Sequence, residues 1–86
     1  MQMSVEQVYE IIEVHNEMVD KFHNLGKALT QTYPDVESTP VNDMFVAAYK
    51  SVIEMSIMLC CEANDRDGLV WRTDENWHVT RKTDGE

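Results

Sequence analysis

Two prolines, Pro34 and Pro40, stand in one polar stretch, "TYPDVESTP", with a long helix-period pattern on either side. A proline inside a helix removes a backbone hydrogen bond and clashes with the preceding turn, so no single helix runs through this stretch. The chain is therefore constrained to two helices and whatever follows them. The stretch has small polar residues and no apolar periodicity, which predicts a connector over 32–39.

The first pattern opens on Ser4, a good N-cap, with Gln7 three residues later completing a capping box. Met3 is placed to staple onto Val8. Val5, Val8, Ile12, His15, Val19 and Phe22 then alternate by three and four, the seam of a helix packed on another helix. Tyr9, Ile11, Met18 and Leu25 widen the apolar face, and the pattern predicts a helix over 4–31. Gly26 costs about 1 kcal/mol of helix propensity against alanine, which suits an ending or the close approach of a partner backbone.

Thr39 followed by Pro40 reads as N-cap and first helical residue. The second helix is expected over 40–63, ended by Asn64 or Gly68. Met44, Phe45, Ala48, Val52, Met55 and Leu59 form its main stripe, while Val46, Ala47, Ile53, Ile57 and Met58 lie elsewhere around it. A helix apolar on nearly every side needs covering on nearly every side. A chain of 86 residues has little else to cover it with, so a second copy is expected, giving a four-helix bundle as a homodimer. The expected dimer seam is His15, Val19, Phe22, Phe45, Val52, Met55 and Leu59.

"LVWRTDENWHVT" alternates apolar and polar residues around a polar centre and predicts a β-hairpin over 69–80, with Trp71 and Trp77 pairing across it or packing on a helix end. The fold expected is mainly α: an antiparallel helical hairpin plus a short C-terminal β-hairpin. It forms one domain over 1–80, with 81–86 as a flexible tail.

Sixteen acidic residues against seven basic ones leave a net charge of −9, spread over the whole chain. Such a surface is expected to repel nucleic acid and anionic membranes and to favour a basic protein surface. The apolar runs are short and interrupted, so no membrane span is expected. The opening "MQMSVEQ" has neither the basic nor the apolar region of a signal peptide. Cys60 and Cys61 are adjacent and badly placed to bond each other, so no disulfide framework is implied and a reducing cytoplasm is the expected setting.

Glu6, Glu10, Glu13, Glu17 and Asp20 repeat the three-four alternation of the seam on the outer side of the first helix. They make one acidic stripe roughly 21 Å long at 1.5 Å per residue. Lys21 and Lys27 come only near the end of this helix, an order that also suits the helix dipole. The stripe is either an ordinary solvated face or a surface that imitates nucleic acid and docks on a basic patch.

Pairs of carboxylates can also hold Mg²⁺, and Glu10-x-x-Glu13, Glu17-x-x-Asp20 and Glu62-x-x-Asp65 have the residue types. In this they resemble the all-α nucleoside triphosphate pyrophosphohydrolases of the MazG and dimeric dUTPase kind. Those enzymes face an E-x-x-E motif on one helix with an E-x-x-D motif on the next, inside a bundle. The resemblance implies metal-dependent hydrolysis of a nucleotide. This chain departs from that pattern: its first pairs fall on the outer face, Glu13 is far from Glu62, and no basic or aromatic cluster marks a nucleotide pocket.

His15 on the seam is expected to be a neutral, hydrogen-bonded core residue. The alternatives are a pH-sensitive seam, or a metal site drawing on His15, His23, Cys60, Cys61 or His78. No C-x-x-C or H-E-x-x-H spacing is present, so no metal and no cofactor are expected. Arg66, Arg72, Arg81 and Lys82 gather around Trp71, Trp77 and His78, but Asp65, Asp67, Asp74 and Glu75 are mixed among them. Direct contact with nucleic acid is therefore not expected.

No nucleophile-base pair, phosphate loop or metal spacing asks for catalysis. The expectation is a small acidic intracellular inhibitor or regulator that occupies a basic surface of a partner protein. Phage-encoded inhibitors and nuclease immunity proteins share this size and charge. Glu6, Glu10, Glu13, Glu17 and Asp20 would make the contact, with Trp71 and Trp77 as apolar anchors. The alternatives are the metal-dependent hydrolase above, or an assembly subunit whose second helix docks into a larger complex.

Overall fold

A computed structural model of the chain describes residues 3–32, 35 and 39–81. It has two long helices followed by a small hairpin: α1 Val5–Thr32, α2 Pro40–Asp67, β1 Trp71–Thr73 and β2 Val79–Arg81.

The capping box of α1 forms reciprocally. The Ser4 N–H donates to Gln7 Oε1 at 2.8 Å, and the Gln7 N–H donates to Ser4 Oγ at 3.2 Å. Met3 packs against the core cluster that contains Val8. α2 begins as its sequence requires, with Thr39 extended at φ −107° and ψ 153°, its Oγ1 accepting from the Asn42 N–H, and Pro40 inside the first turn.

α2 does not stop at Ala63 but continues four residues further, to Asp67. Its last turn is held from outside. Arg66 pairs with Glu62 at 3.1 Å and donates to the Met3 carbonyl, and Asp67 accepts from Tyr9 and Trp71. Gly68, at φ 70°, then supplies the left-handed cap and returns its N–H to the Asn64 carbonyl at 2.8 Å.

The two helices run antiparallel. At one end Val8, Ile12, Leu59 and Ala63 form the buried core together with Val79 of the hairpin. In the middle His15 meets Ser56. At the other end Phe45 lies over Gly26, where a Cβ would stand 2.8 Å from the ring. The close approach expected of Gly26 is thus made by a side chain, and the helix runs on past it. Phe45 also stacks on Phe22, with ring centroids 4.6 Å apart and planes 6° apart.

β1 and β2 pair antiparallel, Trp71 opposite Arg81, Arg72 opposite Thr80 and Thr73 opposite Val79. The two tryptophans do not pair across the hairpin. Trp71 is in β1, and Trp77 is in the connecting loop with φ 70°. Leu69 and Val70 lie outside the strands and are exposed. Arg81, expected to begin the flexible tail, is instead the last residue of β2, paired with Trp71. The rest of the expected tail, 82–86, and most of the expected connector, 33–34 and 36–38, lie outside the described residues.

The assembly is thin. Its principal extents are 45 × 35 × 15 Å and its radius of gyration is 15.3 Å, against roughly 12 Å for a compact domain of this length. One layer of helices with a hairpin leaned on it leaves much apolar surface in the open.

Candidate functional site

α1 has two flanks beside its buried seam, and they are treated in opposite ways. Tyr9, Asn16 and His23, seven residues apart, all reach toward the hairpin region. The Tyr9 hydroxyl donates to Asp67 at 2.6 Å and its ring lies 5.7 Å from that of Trp71. The Asn16 amide embraces the backbone of Val79, donating to its carbonyl at 3.0 Å and accepting its N–H at 2.8 Å. His23 Nε2 donates to the Asn76 carbonyl at 2.9 Å. An isolated hairpin of this size is marginal; here α1 meets the hairpin region at three points about two turns apart.

The opposite flank carries Ile11, Val14, Met18 and Leu25. No hairpin covers it, and Val14 is 65% exposed. Across from it, Met55 of α2 is 52% exposed and Met58 is 69% exposed. Glu10, Ile11, Val14, His15, Met18 and Met55 line an open groove of about 450 Å³. Through Met55 it adjoins a second concavity of about 710 Å³ bounded by Met3, Glu54, Met58 and Glu62 among others.

Glu6, Glu10, Glu13 and Glu17 are exposed in the row the spacing predicts, directly beyond the bare flank. Among the described residues none of the four is in an ion pair. Asp20 is different, because its carboxylate accepts from His78 Nε2 at 2.6 Å. The far end of the acidic row is therefore tied to the hairpin.

His78 also donates from Nδ1 to Asp74 at 2.9 Å. Partial burial works against its charge, but the hydrogen bonds to Asp20 and Asp74 outweigh that and hold it above the ordinary histidine value. Asp74 shapes the loop as well, its Oδ1 accepting the N–H groups of Asn76 and His78. Desolvation opposes the Asp74 charge, yet these bonds keep its carboxyl below the usual range. Asp67 is likewise held low against desolvation, by bonds from Tyr9, the Leu69 N–H and Trp71.

His15 is 4% exposed and bonds to Ser56 Oγ through Nε2 at 2.8 Å. The Ser56 hydroxyl also faces the carbonyls of Val52 at 2.9 Å and Trp77 at 2.8 Å. Its single proton belongs to a carbonyl, so Nε2–H of His15 donates to Ser56. Nδ1 then carries a lone pair and has no partner. Desolvation first, and the charge of His78 second, push His15 down and keep it neutral. This serine-histidine pair is buried, Ser56 being 0% exposed, with His15 at the wall of the groove.

The residues expected at a dimer seam mostly line the contact inside one chain. His15, Val19 and Leu59 are buried, Phe22, Phe45 and Val52 are half-buried, and Met55 alone of the seven is exposed. Trp71 and Trp77 are half-buried, and the Trp71 indole donates to Asp67 at 3.0 Å. Burial pushes the Cys60 thiol up, and Cys61 is exposed. Among the described residues no three His, Cys, Asp or Glu side chains are grouped to hold a metal ion, so the E-x-x-E and E-x-x-D pairs do not converge as the hydrolase resemblance implies. No membrane span is expected from the interrupted apolar runs, yet α2 is long and apolar enough to cross a membrane by length and composition.

Spacing alone could have found part of this. Tyr9, Asn16 and His23 are a polar heptad set facing an apolar one, Ile11, Met18 and Leu25. Ser56 carried a weaker signal, a lone hydroxyl within an otherwise apolar stretch of α2. No family model, curated protein or solved structure matches the chain.

Proposed function

We propose that this protein is an acidic protein-binding module that acts by occupancy, covering a basic surface of its partner and displacing the anionic ligand of that surface. One observation carries this: Glu10, Glu13 and Glu17 stand exposed and free of ion pairs among the described residues, beside an apolar strip of exposed Ile11 and Val14 and half-buried Met18. A solvated helix face needs no apolar strip beside it, whereas an interface gains affinity from apolar burial and rate from charge. The Trp71 ring is engaged with Tyr9 and Asp67 and Trp77 is half-buried, so the anchors move to Ile11, Val14 and Met18.

The test is binding to a set of nucleic-acid-binding proteins of high isoelectric point, with duplex DNA as competitor. Wild-type protein binds at low salt, releases DNA from at least one member of the set, and loses affinity as salt rises. Glu10→Lys, Glu13→Lys and Glu17→Lys together abolish the effect with helicity unchanged. Equal capture by that triple variant overturns the proposal.

A second reading is favoured by the outer side of α2. Val46, Ile53 and Ile57 are spaced seven and four apart, and Val46 and Ile57 are exposed. A second copy packed there makes a homodimeric four-helix bundle and leaves the α1 groove open. Sedimentation equilibrium tests it: a dimer that Val46→Glu with Ile57→Glu converts to monomer supports it, and a monomer at all concentrations rejects it.

A further inference from the structure

The groove between α1 and α2 is long, open and apolar, with acids along its edges. Ile11, Val14, Met18 and Met55 form its floor, continued by Met58. Glu10 lines the groove, Glu13 and Glu17 are exposed on the same helix outside its lining, and Glu54 and Glu62 line the adjoining concavity on the α2 side. His15 also lines the groove, and its Nδ1 is a buried acceptor that the chain leaves unmatched. Unbranched methionines adapt to varied apolar side chains, and an apolar floor with anionic edges complements one kind of occupant.

We infer that the groove seats an amphipathic helix of the partner, apolar along one face and lysine- or arginine-bearing on both borders. This rests on the acidic-surface proposal and names what enters it. A second copy fits less well, because its own acidic rims would meet these. An anionic lipid surface meets the same repulsion from a chain of net charge −9.

The test uses the full chain and three labelled synthetic helices of about five turns. One has a leucine face bordered by lysines, one the same face bordered by glutamates, and one the first composition scrambled so that no apolar face exists. Fluorescence anisotropy reads binding across salt concentrations. The lysine-bordered helix is expected to bind, the other two at least about tenfold more weakly. Val14→Asn with Met55→Asn, both at exposed positions, should weaken it about tenfold with helicity unchanged by circular dichroism. Glu10→Gln with Glu17→Gln should weaken it and flatten its salt dependence.

Equal binding of the scrambled helix removes the groove and leaves the acidic surface standing. Equal binding of the glutamate-bordered helix removes the charge complementarity. Basic proteins bound but no helix bound overturns this inference alone, while neither bound overturns both proposals. Self-association abolished by the Val14 and Met55 changes assigns the groove to a second copy, and partition onto phosphatidylcholine vesicles that the same changes abolish assigns it to lipid; either result overturns the inference.

Discussion

His78 and Asp20 are 58 residues apart in sequence and 2.6 Å apart in the fold. The other ring nitrogen of His78 meets Asp74, so both nitrogens face carboxylates and the charged imidazolium is favoured. The bond closes the hairpin loop against α1 and neutralises the end of the acidic row.

Stability should therefore fall on both sides of neutrality. The folded pKa of His78 lies above its ordinary 6.5, so its contribution is complete below that value and is lost as pH rises through the folded pKa. His15 is depressed, so its contribution is present above 6.5 and lost as pH falls through its folded value. Asp67 and Asp74 are also depressed, and their contributions fade as pH falls below the ordinary 3.8. Urea midpoints measured across pH should show a shallow maximum. His78→Gln should remove the decline just above neutrality and, because His78 also depresses His15 and Asp74, soften the acid side.

Ser56→Ala should cost about 1–3 kcal/mol, because it leaves His15 Nε2–H and the Trp77 carbonyl without their buried partner. Urea unfolding measures the loss. Imidazole nitrogen shifts should show His15 protonated at Nε2 and bare at Nδ1 in the wild type.

Gly26→Ala should not give the gain of about 1 kcal/mol that helix propensity promises. The added methyl meets the Phe45 ring, which is held on Phe22. In a Phe45→Ala background the same change should stabilise by about 0.5–1 kcal/mol. A double-mutant cycle in urea reads the sign change, and equal effects in both backgrounds would remove the contact as the reason for this glycine.

Asn16→Asp replaces the amide that donates to the Val79 carbonyl with a second acceptor. The hairpin should open locally while the helices persist. Hydrogen exchange should show lost protection at the Val79 N–H, with amides near Ile12 and Leu59 unaffected.

The helices and the hairpin were legible in the sequence because they depend on local chemistry. Ser4 with Gln7, Thr39 with Pro40 and the three-four alternation act within a few residues. Gly68 was legible as a candidate cap of α2, but its choice over Asn64 was not, since Asp67 is held by Tyr9 and Trp71, contacts that exist only once the chain has folded. The acidic row was legible residue by residue, but the withdrawal of Asp20 by His78 was not. The seam was legible as a packing line, and within one chain it lies between α1 and α2. The bare groove was hidden because apolar residues at helical spacing give the same pattern whether or not something covers them.

Methyl chemical-shift mapping tests the working surface most directly. On titration with the lysine-bordered helix, shifts should concentrate at the methyls of Ile11, Val14, Met18 and Met55. Those of Val79 and Val8, in the hairpin-covered core, should stay in place. Shifts scattered over the surface, or gathered at the hairpin, would contradict a functional role for this face of the protein.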